Sequence, residues 1–162
     1  MRSAYKYEDP IRKLVLKFKY SNRMFLAGEL SEGMADTARN NVFFGETDII
    51  IPVPLSIVRR IKRGYNQAEL LAGELGKKIS KPLAKNVLVR KKMTKPQFKL
   101  SKRERFENIK DSFTVKNKEL IKNKNILLVD DIATTSATAS ACAKALKEAG
   151  CRKVYVITLA RD

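Results

Sequence analysis

The stretch that decides the fold is "ILLVDDIATTSAT", Ile126 to Thr138. Four apolar residues in a row, two of them β-branched, read as a strand buried on both faces of a parallel sheet. Two carboxylates, Asp130 and Asp131, close that strand, and a turn of small and hydroxylated residues follows. The alanine-rich run from Ser136 to Ala149 is a helix, and Gly150 stands where a helix C′ glycine belongs. The chain then returns as a strand in "KVYVITLA", Lys153 to Ala160. Strand, turn, helix, glycine and strand make a βαβ unit. The predicted class is therefore α/β, a twisted and mostly parallel sheet flanked by helices.

Ligands of such sheets bind beyond the carboxyl ends of strands, which is where this turn lies. Thr134, Thr135, Ser136 and Thr138 offer hydroxyls, while Ala133 and Ala137 leave the backbone accessible. Amides at a helix N-terminus favour an anion, so residues 133–138 read as a phosphate cradle. Asp130 and Asp131 cannot ligate phosphate. They suit sugar hydroxyls or a divalent cation. A strand ending in Asp-Asp also occurs in P-loop NTPases, but no GxxxxGK[ST] is present and "GELGKK" from Gly73 lacks its spacing. The same "LLVDD" could open a phospho-acceptor receiver domain, yet it lies here 32 residues from the last residue. A merely structural Asp-rich turn is the plain alternative, and the attached TTSAT argues against it.

Working outward, Ile11, Leu14, Val15 and Phe18 mark an amphipathic helix with Asp9 as N-cap and Pro10 at N1. Leu26, Leu30 and Met34 mark a second, weakened by Gly28 and Gly33. Asp48 to Val53 is a buried parallel strand, Asn66 caps a helix with Leu70, Leu71, Leu75 and Ile79 on one face, and Lys110 to Val115 is a weak strand. Residues 1–162 read as one domain, with 1–45 a helical N-terminal elaboration and 90–106 a basic mobile loop.

Composition narrows the chemistry. Apolar residues make up 44% of the 162, enough for a real core. There is no histidine, which excludes Ser-His-Asp and Cys-His catalysis and His-ligated zinc. The two cysteines, Cys142 and Cys151, form no CxxC and read as buried free thiols. No apolar run approaches membrane-spanning length, so no membrane insertion and a cytoplasmic location are expected. The formal charge is +17, and it is concentrated: residues 59–125 hold 21 basic and 6 acidic side chains. Such a surface invites phosphate-bearing partners.

The 126–138 segment resembles the phosphoribosyl-diphosphate (PRPP) binding motif of type I phosphoribosyltransferases, hydrophobic-DD-h-x-T-T-G-x-T. Ser136 stands where that motif has glycine, and it would be strained only if the backbone there required positive φ. The resemblance narrows upstream. "IIIPVPLSIVRRIKRGYNQAELLA" (Ile49 to Ala72) resembles the PVP turn and R-G-aromatic-N-Q block of the ComF competence family. "TKPQFKLSKRERFENIKDSF" (Thr94 to Phe113) and "YEDPIRKLVLKFKY" resemble further segments of it. Many members carry an N-terminal cysteine zinc ribbon, and this chain shows none.

This resemblance implies a site, residue by residue. Asp130 and Asp131 would take the ribose and act in catalysis, and Ala133, Thr134, Thr135, Ser136, Ala137 and Thr138 would hold the 5′-phosphate. Val53, Pro54, Leu55 and Ser56, with Arg59 and Arg63 behind them, would face the diphosphate. Lys92 and Lys95 would close over the leaving group from the mobile loop. PRPP would bring Mg2+ on its own oxygens, with no all-protein metal cage. The expected activity is transfer of phosphoribose from PRPP, or a ribose-5-phosphate-type ligand, to a nitrogenous acceptor that the sequence does not identify. The alternative is a non-catalytic protein handling single-stranded DNA, or serving DNA-uptake proteins, through its basic surface. Arg60, Lys99, Arg103 and Arg105 would then contact nucleic acid. A homodimer is compatible with either reading.

Overall fold

The computed structural model describes residues 1–21, 23–91 and 112–162, apart from the side chain of Phe43. In chain order the elements are β1 (Arg2–Lys6), α1 (Ile11–Tyr20), α2 (Leu26–Arg39), α3 (Val42–Gly45), β2 (Ile49–Pro52), α4 (Ile57–Arg63), α5 (Gln67–Ile79), β3 (Leu88–Arg90), β4 (Phe113–Val115), β5 (Asn125–Ala133), α6 (Ala137–Glu148) and β6 (Lys153–Arg161). Four strands form one parallel sheet in the order β1-β6-β5-β2, while β3 and β4 form a separate antiparallel ribbon. The α/β class expected from the βαβ unit is what the chain adopts.

The sheet's alternation builds two cores. Ile126 and Leu128 of β5 face one side with Ile49 and Ile51 of β2, packing on Cys142 and Leu146 of α6 and on Phe113 and Val115 of β4. Leu127 and Val129 face the other side with Ile50, Ile157 and Leu159, against Val15 and Phe18 of α1, Leu30 and Met34 of α2, and Leu71 and Leu75 of α5. Successive side chains of a strand point to opposite faces, so a run of apolar residues serves both layers at once.

Three details depart from the sequence reading. Arg2–Lys6 is not part of a helical elaboration but the edge strand of the main sheet, with Ser3 opposite Thr158 and Tyr5 opposite Ala160. Only its middle is partly buried, which leaves little apolar pattern to read. Asp9 does not cap α1. The cap position is Pro10, with no side-chain hydrogen bond, and the Asp9 carboxylate pairs with Lys13 at 3.0 Å on the surface. Finally β5 does not close at the acidic pair but runs on to Ala133, its ladder continuing from Asp130↔Thr158 to Ala133↔Arg161. Pairing with β6 overrides the low β-propensity of two aspartates.

Gly33, which weakens α2 as a sequence pattern, has a packing reason. A Cβ there would collide with the ring and hydroxyl of Tyr5 on β1, so its absence lets helix and edge strand approach. The α6 helix ends as expected, with Gly150 at φ +95° just beyond its C-cap Ala149. Asn66 caps α5, its Oδ1 accepting from the Ala68 N–H at 3.2 Å. Cys142 and Cys151 are buried free thiols.

Candidate functional site

Because β5 is extended through the acidic pair, its alternation decides where each carboxylate goes. Asp131 continues the face of Leu127 and Val129, toward α1. Asp130 continues the face of Ile126 and Leu128, toward α6. On the first side, Lys19 Nζ meets Asp131 Oδ2 at 2.9 Å, the two side chains being 14% and 15% exposed. Asp131 Oδ1 accepts its neighbour Ile132 N–H at 2.6 Å. On the other side Asp130 Oδ1 accepts the Asp131 N–H at 2.8 Å. Burial, then the adjacent Asp131 charge, push the Asp130 carboxyl up to about 8, against the smaller opposing pull of that amide and Lys19. The charge of Asp130 in turn adds to burial in holding the Cys142 thiol well above its ordinary value.

The turn follows at once. Ala133 is buried, Thr134, Thr135 and Ser136 are exposed, and Ala137 and Thr138 are half-buried. The first helical bond of α6 runs from Ser140 N–H to Ser136 O at 2.8 Å, and the Ser136 side chain makes no capping hydrogen bond among the described residues. The preceding amides therefore lack an intrahelical acceptor and form an anion-seeking end. Ser136 sits at φ −73°, ψ 0°, an ordinary right-handed conformation, so replacing the motif's glycine by serine strains nothing here.

A second turn lies beside the first. Val53 N–H bonds Val129 O at 2.8 Å, which seats "PVPLS" against the base of the acidic pair. Asn66 Nδ2 ties the same turn from behind, donating to Val53 O at 3.0 Å. Val53 is buried, and Pro54, Leu55 and Ser56 are half-buried. Ser56 N-caps α4, accepting from Arg59 N–H at 3.4 Å. A cleft of about 330 Å³ opens between this turn and the β3–β4 ribbon, with Arg60, Arg90 and Lys116 among its lining. Burial, then the nearby charge of Arg59, lower the affinity of the Arg90 guanidinium for its proton.

The fold thus gathers three of the expected pieces at one edge of the sheet: the acidic pair, the 133–138 turn and the 53–56 turn. Arg59 and Arg60 are exposed on α4. Arg63 is engaged elsewhere. Its guanidinium donates to Gln67 Oε1 at 3.1 Å and to the Tyr20 hydroxyl at 3.2 Å, and it stacks over the Tyr20 ring at 5.1 Å. Lys92, Lys95, Lys99, Arg103 and Arg105 lie outside the described residues. The flanks of that basic segment are joined, Lys91 N–H bonding Ser112 O at 2.7 Å. Lys19 is the residue that the sequence pattern does not reveal. Its only signal is the alternation of β5, which sends Asp131 toward α1.

Comparisons with known proteins place the family and the fold. Residues 32–162 match the phosphoribosyl transferase domain. Competence protein F of Haemophilus influenzae is 32% identical over 160 residues, 96% of this chain and 69% of that protein. Competence protein ComFC of Bacillus subtilis is 32% identical over 151 residues, 92% of this chain and 58% of that one. The DNA utilization protein YhgH of Escherichia coli K12 is 31% identical over 159 residues, 96% and 69% respectively. Among solved structures, a purine phosphoribosyltransferase from Pyrococcus horikoshii Ot3 superposes with TM-score 0.53 at 16% identity, over 85% of this chain and 74% of that one. The glutamine PRPP amidotransferase of B. subtilis gives 0.59 at 15%, over 89% and 30%. At those identities the likeness concerns the fold. No helix among the described residues is long and apolar enough to cross a membrane. With the domain match and the relatives taken together, the chain belongs to the competence protein F family and is built on the type I phosphoribosyltransferase fold.

Proposed function

We propose that this protein binds PRPP at the carboxyl edge of its sheet and transfers the phosphoribosyl group to a nitrogenous acceptor. The observation that supports this most is the convergence of three features: a half-buried carboxylate pair, a hydroxyl-rich helix start and a second turn bonded to Val129. The 5′-phosphate would sit on the amides and hydroxyls of residues 133–138, and the ribose 2′ and 3′ hydroxyls on Asp130 and Asp131. The two carboxyls differ in surroundings. Asp130, raised to about 8 by burial and by the neighbouring Asp131, favours its protonated form near neutral pH and can donate to a ribose hydroxyl, while Asp131 is held by Lys19.

In the transfer, the bond from C1 to the diphosphate oxygen breaks, the bond from C1 to the acceptor nitrogen forms, and that nitrogen gives up a proton to the departing diphosphate or to water. Positive charge gathers on C1 and the ring oxygen. The Asp131 carboxylate beneath the ribose stabilises it. The 53–56 turn with Arg59 would receive the diphosphate. Among the described residues no cluster of three or more metal-ligating side chains exists. Mg2+ would therefore be held chiefly by the diphosphate's own oxygens, as suits a cation bound by few carboxylates plus phosphates, and when bound it neutralises the leaving group. Calorimetric titration of PRPP with Mg2+ tests the reading. Wild type is expected to bind, and Asp130→Asn/Asp131→Asn to lose about 100-fold, the charge-assisted contact of Asp131 and the carboxyl contact of Asp130 both being removed. A folded wild type that takes up no PRPP sinks the proposal.

A second reading, single-stranded DNA handling, is favoured by α4. None of its residues is buried, and it presents Arg59, Arg60 and Lys62 beside Val58 and Ile61, which are 77% and 79% exposed. The relatives' names, competence and DNA utilization, point the same way. A groove engaging about 6 phosphates should lose on the order of 10³ in affinity between 50 and 200 mM salt. Weak binding at low salt that ignores removal of Arg60 and Lys99 would end this reading.

A further inference from the structure

The Gly64-Tyr65-Asn66-Gln67 block is singled out by its sequence, yet the proposed chemistry gives it no contact with ligand. The structure shows what it holds. Tyr65 donates its hydroxyl to the Phe18 carbonyl, and its ring packs tilted on the Phe18 ring with centroids 6.1 Å apart. Arg63, just before the block, grips Tyr20 by a hydrogen bond and by stacking, and is itself steadied by Gln67. Asn66 fastens the block to the Val53 carbonyl of the neighbouring turn. Phe18 and Tyr20 flank Lys19, whose ammonium reaches the Asp131 carboxylate. Of three consecutive residues closing α1, the outer two are thus tied to the 63–67 segment and the middle one to the acidic pair.

We infer that Lys19 is a positioning residue of the ribose site, held over Asp131 by the grip of Arg63 and Tyr65 on its two neighbours. The block then serves to complete the acidic pair from the N-terminal helix, and it couples the 53–56 turn to the ribose carboxylates. This inference rests on the phosphoribosyl reading. Geometry supports it in two ways. The Asp131 carboxylate is pinned at both oxygens, by Lys19 on Oδ2 and by Ile132 N–H on Oδ1, which fixes its plane. The ion pair is also largely shielded from solvent, where an unpaired carboxylate would be costly and would turn toward water. Charged and titratable groups facing the pair come from three elements: Lys19 of α1, Cys142 of α6, and Arg90 of β3 through Cys142.

The experiment uses the whole chain and two probes, ribose-5-phosphate and inorganic phosphate, in Lys19→Met, Lys19→Arg and Tyr65→Phe. Inorganic phosphate reads the anion-binding turns without the carboxylates, and ribose-5-phosphate adds the carboxylates. Lys19→Met is expected to weaken ribose-5-phosphate about 10-fold and to leave inorganic phosphate unchanged, with Lys19→Arg recovering most of the loss. Tyr65→Phe, which keeps the ring, should give a smaller loss of the same selectivity. Carboxyl carbon NMR should show the Asp130 midpoint moving upward in Lys19→Met, because a cation has been withdrawn. Equal ribose-5-phosphate binding in Lys19→Met and wild type overturns the inference and leaves the phosphoribosyl reading standing. So does a loss that extends equally to inorganic phosphate or is not restored by arginine, since that is general damage. A wild type that binds inorganic phosphate but gains nothing from the ribose overturns both.

Discussion

Asp130→Asn is expected to make the protein more stable at pH 8 and above, and at the same time a poorer binder of ribose-5-phosphate. The stability half follows from linkage. The Asp130 carboxyl is raised to about 8 in the folded chain, first by burial and then by Asp131, whereas an unfolded chain ionises it near 3.8. A carboxyl raised by folding contributes its full stability below the unfolded value and loses it as pH climbs through the folded one. Between about pH 4 and 8 the wild type should therefore weaken progressively from this group. Asparagine, of the same shape, has no proton to lose and escapes that slope. The gain should reach the order of 2 kcal/mol at pH 8, allowing for relaxation around a charged aspartate. The binding half follows from the lost hydroxyl or carboxylate partner for the ribose, on the order of 10- to 100-fold at neutral pH. Thermal denaturation at pH 5 and pH 8.5 in variant and wild type, beside one titration, reads both. Parallel stability curves would mean that Asp130 is ionised and solvated, and the division of labour between the two carboxyls would fall. Groups that destabilise a fold and hold a ligand are the usual mark of a functional site.

Features that rest on local chemistry are legible in the sequence, and those made by long-range pairing are not. The βαβ unit, the Asn66 cap and the Gly150 stop are of the first kind: continuous apolar runs, a side chain that reaches its own helix, a backbone that needs positive φ. The place of the 133–138 turn, between strand and helix, is legible for the same reason. β1 is not, because its stability comes from a ladder with β6, 155 positions away in the Ser3–Thr158 pair, and "RSAYK" carries little pattern of its own. Gly33 looks like a flaw in α2 and is in fact the relief for Tyr5. Lys19 lies at i+4 from Val15, on the flank of the apolar stripe of α1, unlike the exposed Lys13 and Lys17, but that spacing does not name its partner. Its partner is fixed only once β5 is seen to continue through Asp131. Arg63 reads as one base among many until Tyr20 and Gln67 are placed around it.

Phe18→Ala should be among the most damaging single changes, and its failure should show in the site as well as in the fold. Phe18 is fully buried against α2, α5 and the sheet, with the Tyr65 ring beside it. Truncating a buried phenylalanine removes its transfer free energy and leaves a cavity, together about 3–5 kcal/mol. That is a large share of the roughly 5–15 kcal/mol that holds an ordinary domain together. The loss is not spread evenly. Phe18 joins α1 to Tyr65 by its ring and by its carbonyl, so the cavity opens directly behind Lys19. Where the variant still folds, at low temperature, the end of α1 should loosen before the sheet does, because β5 keeps its ladders to β2 and β6. Hydrogen exchange is then expected to rise first at the Phe18 to Ser21 amides. Ribose-5-phosphate binding should fall while inorganic phosphate binding holds. Uniform exchange across α1, α2 and β5 would show instead that α1 melts only with the whole domain. In that event the coupling between Lys19 and the carboxylates would be a property of global folding and not of the Phe18–Tyr65 contact.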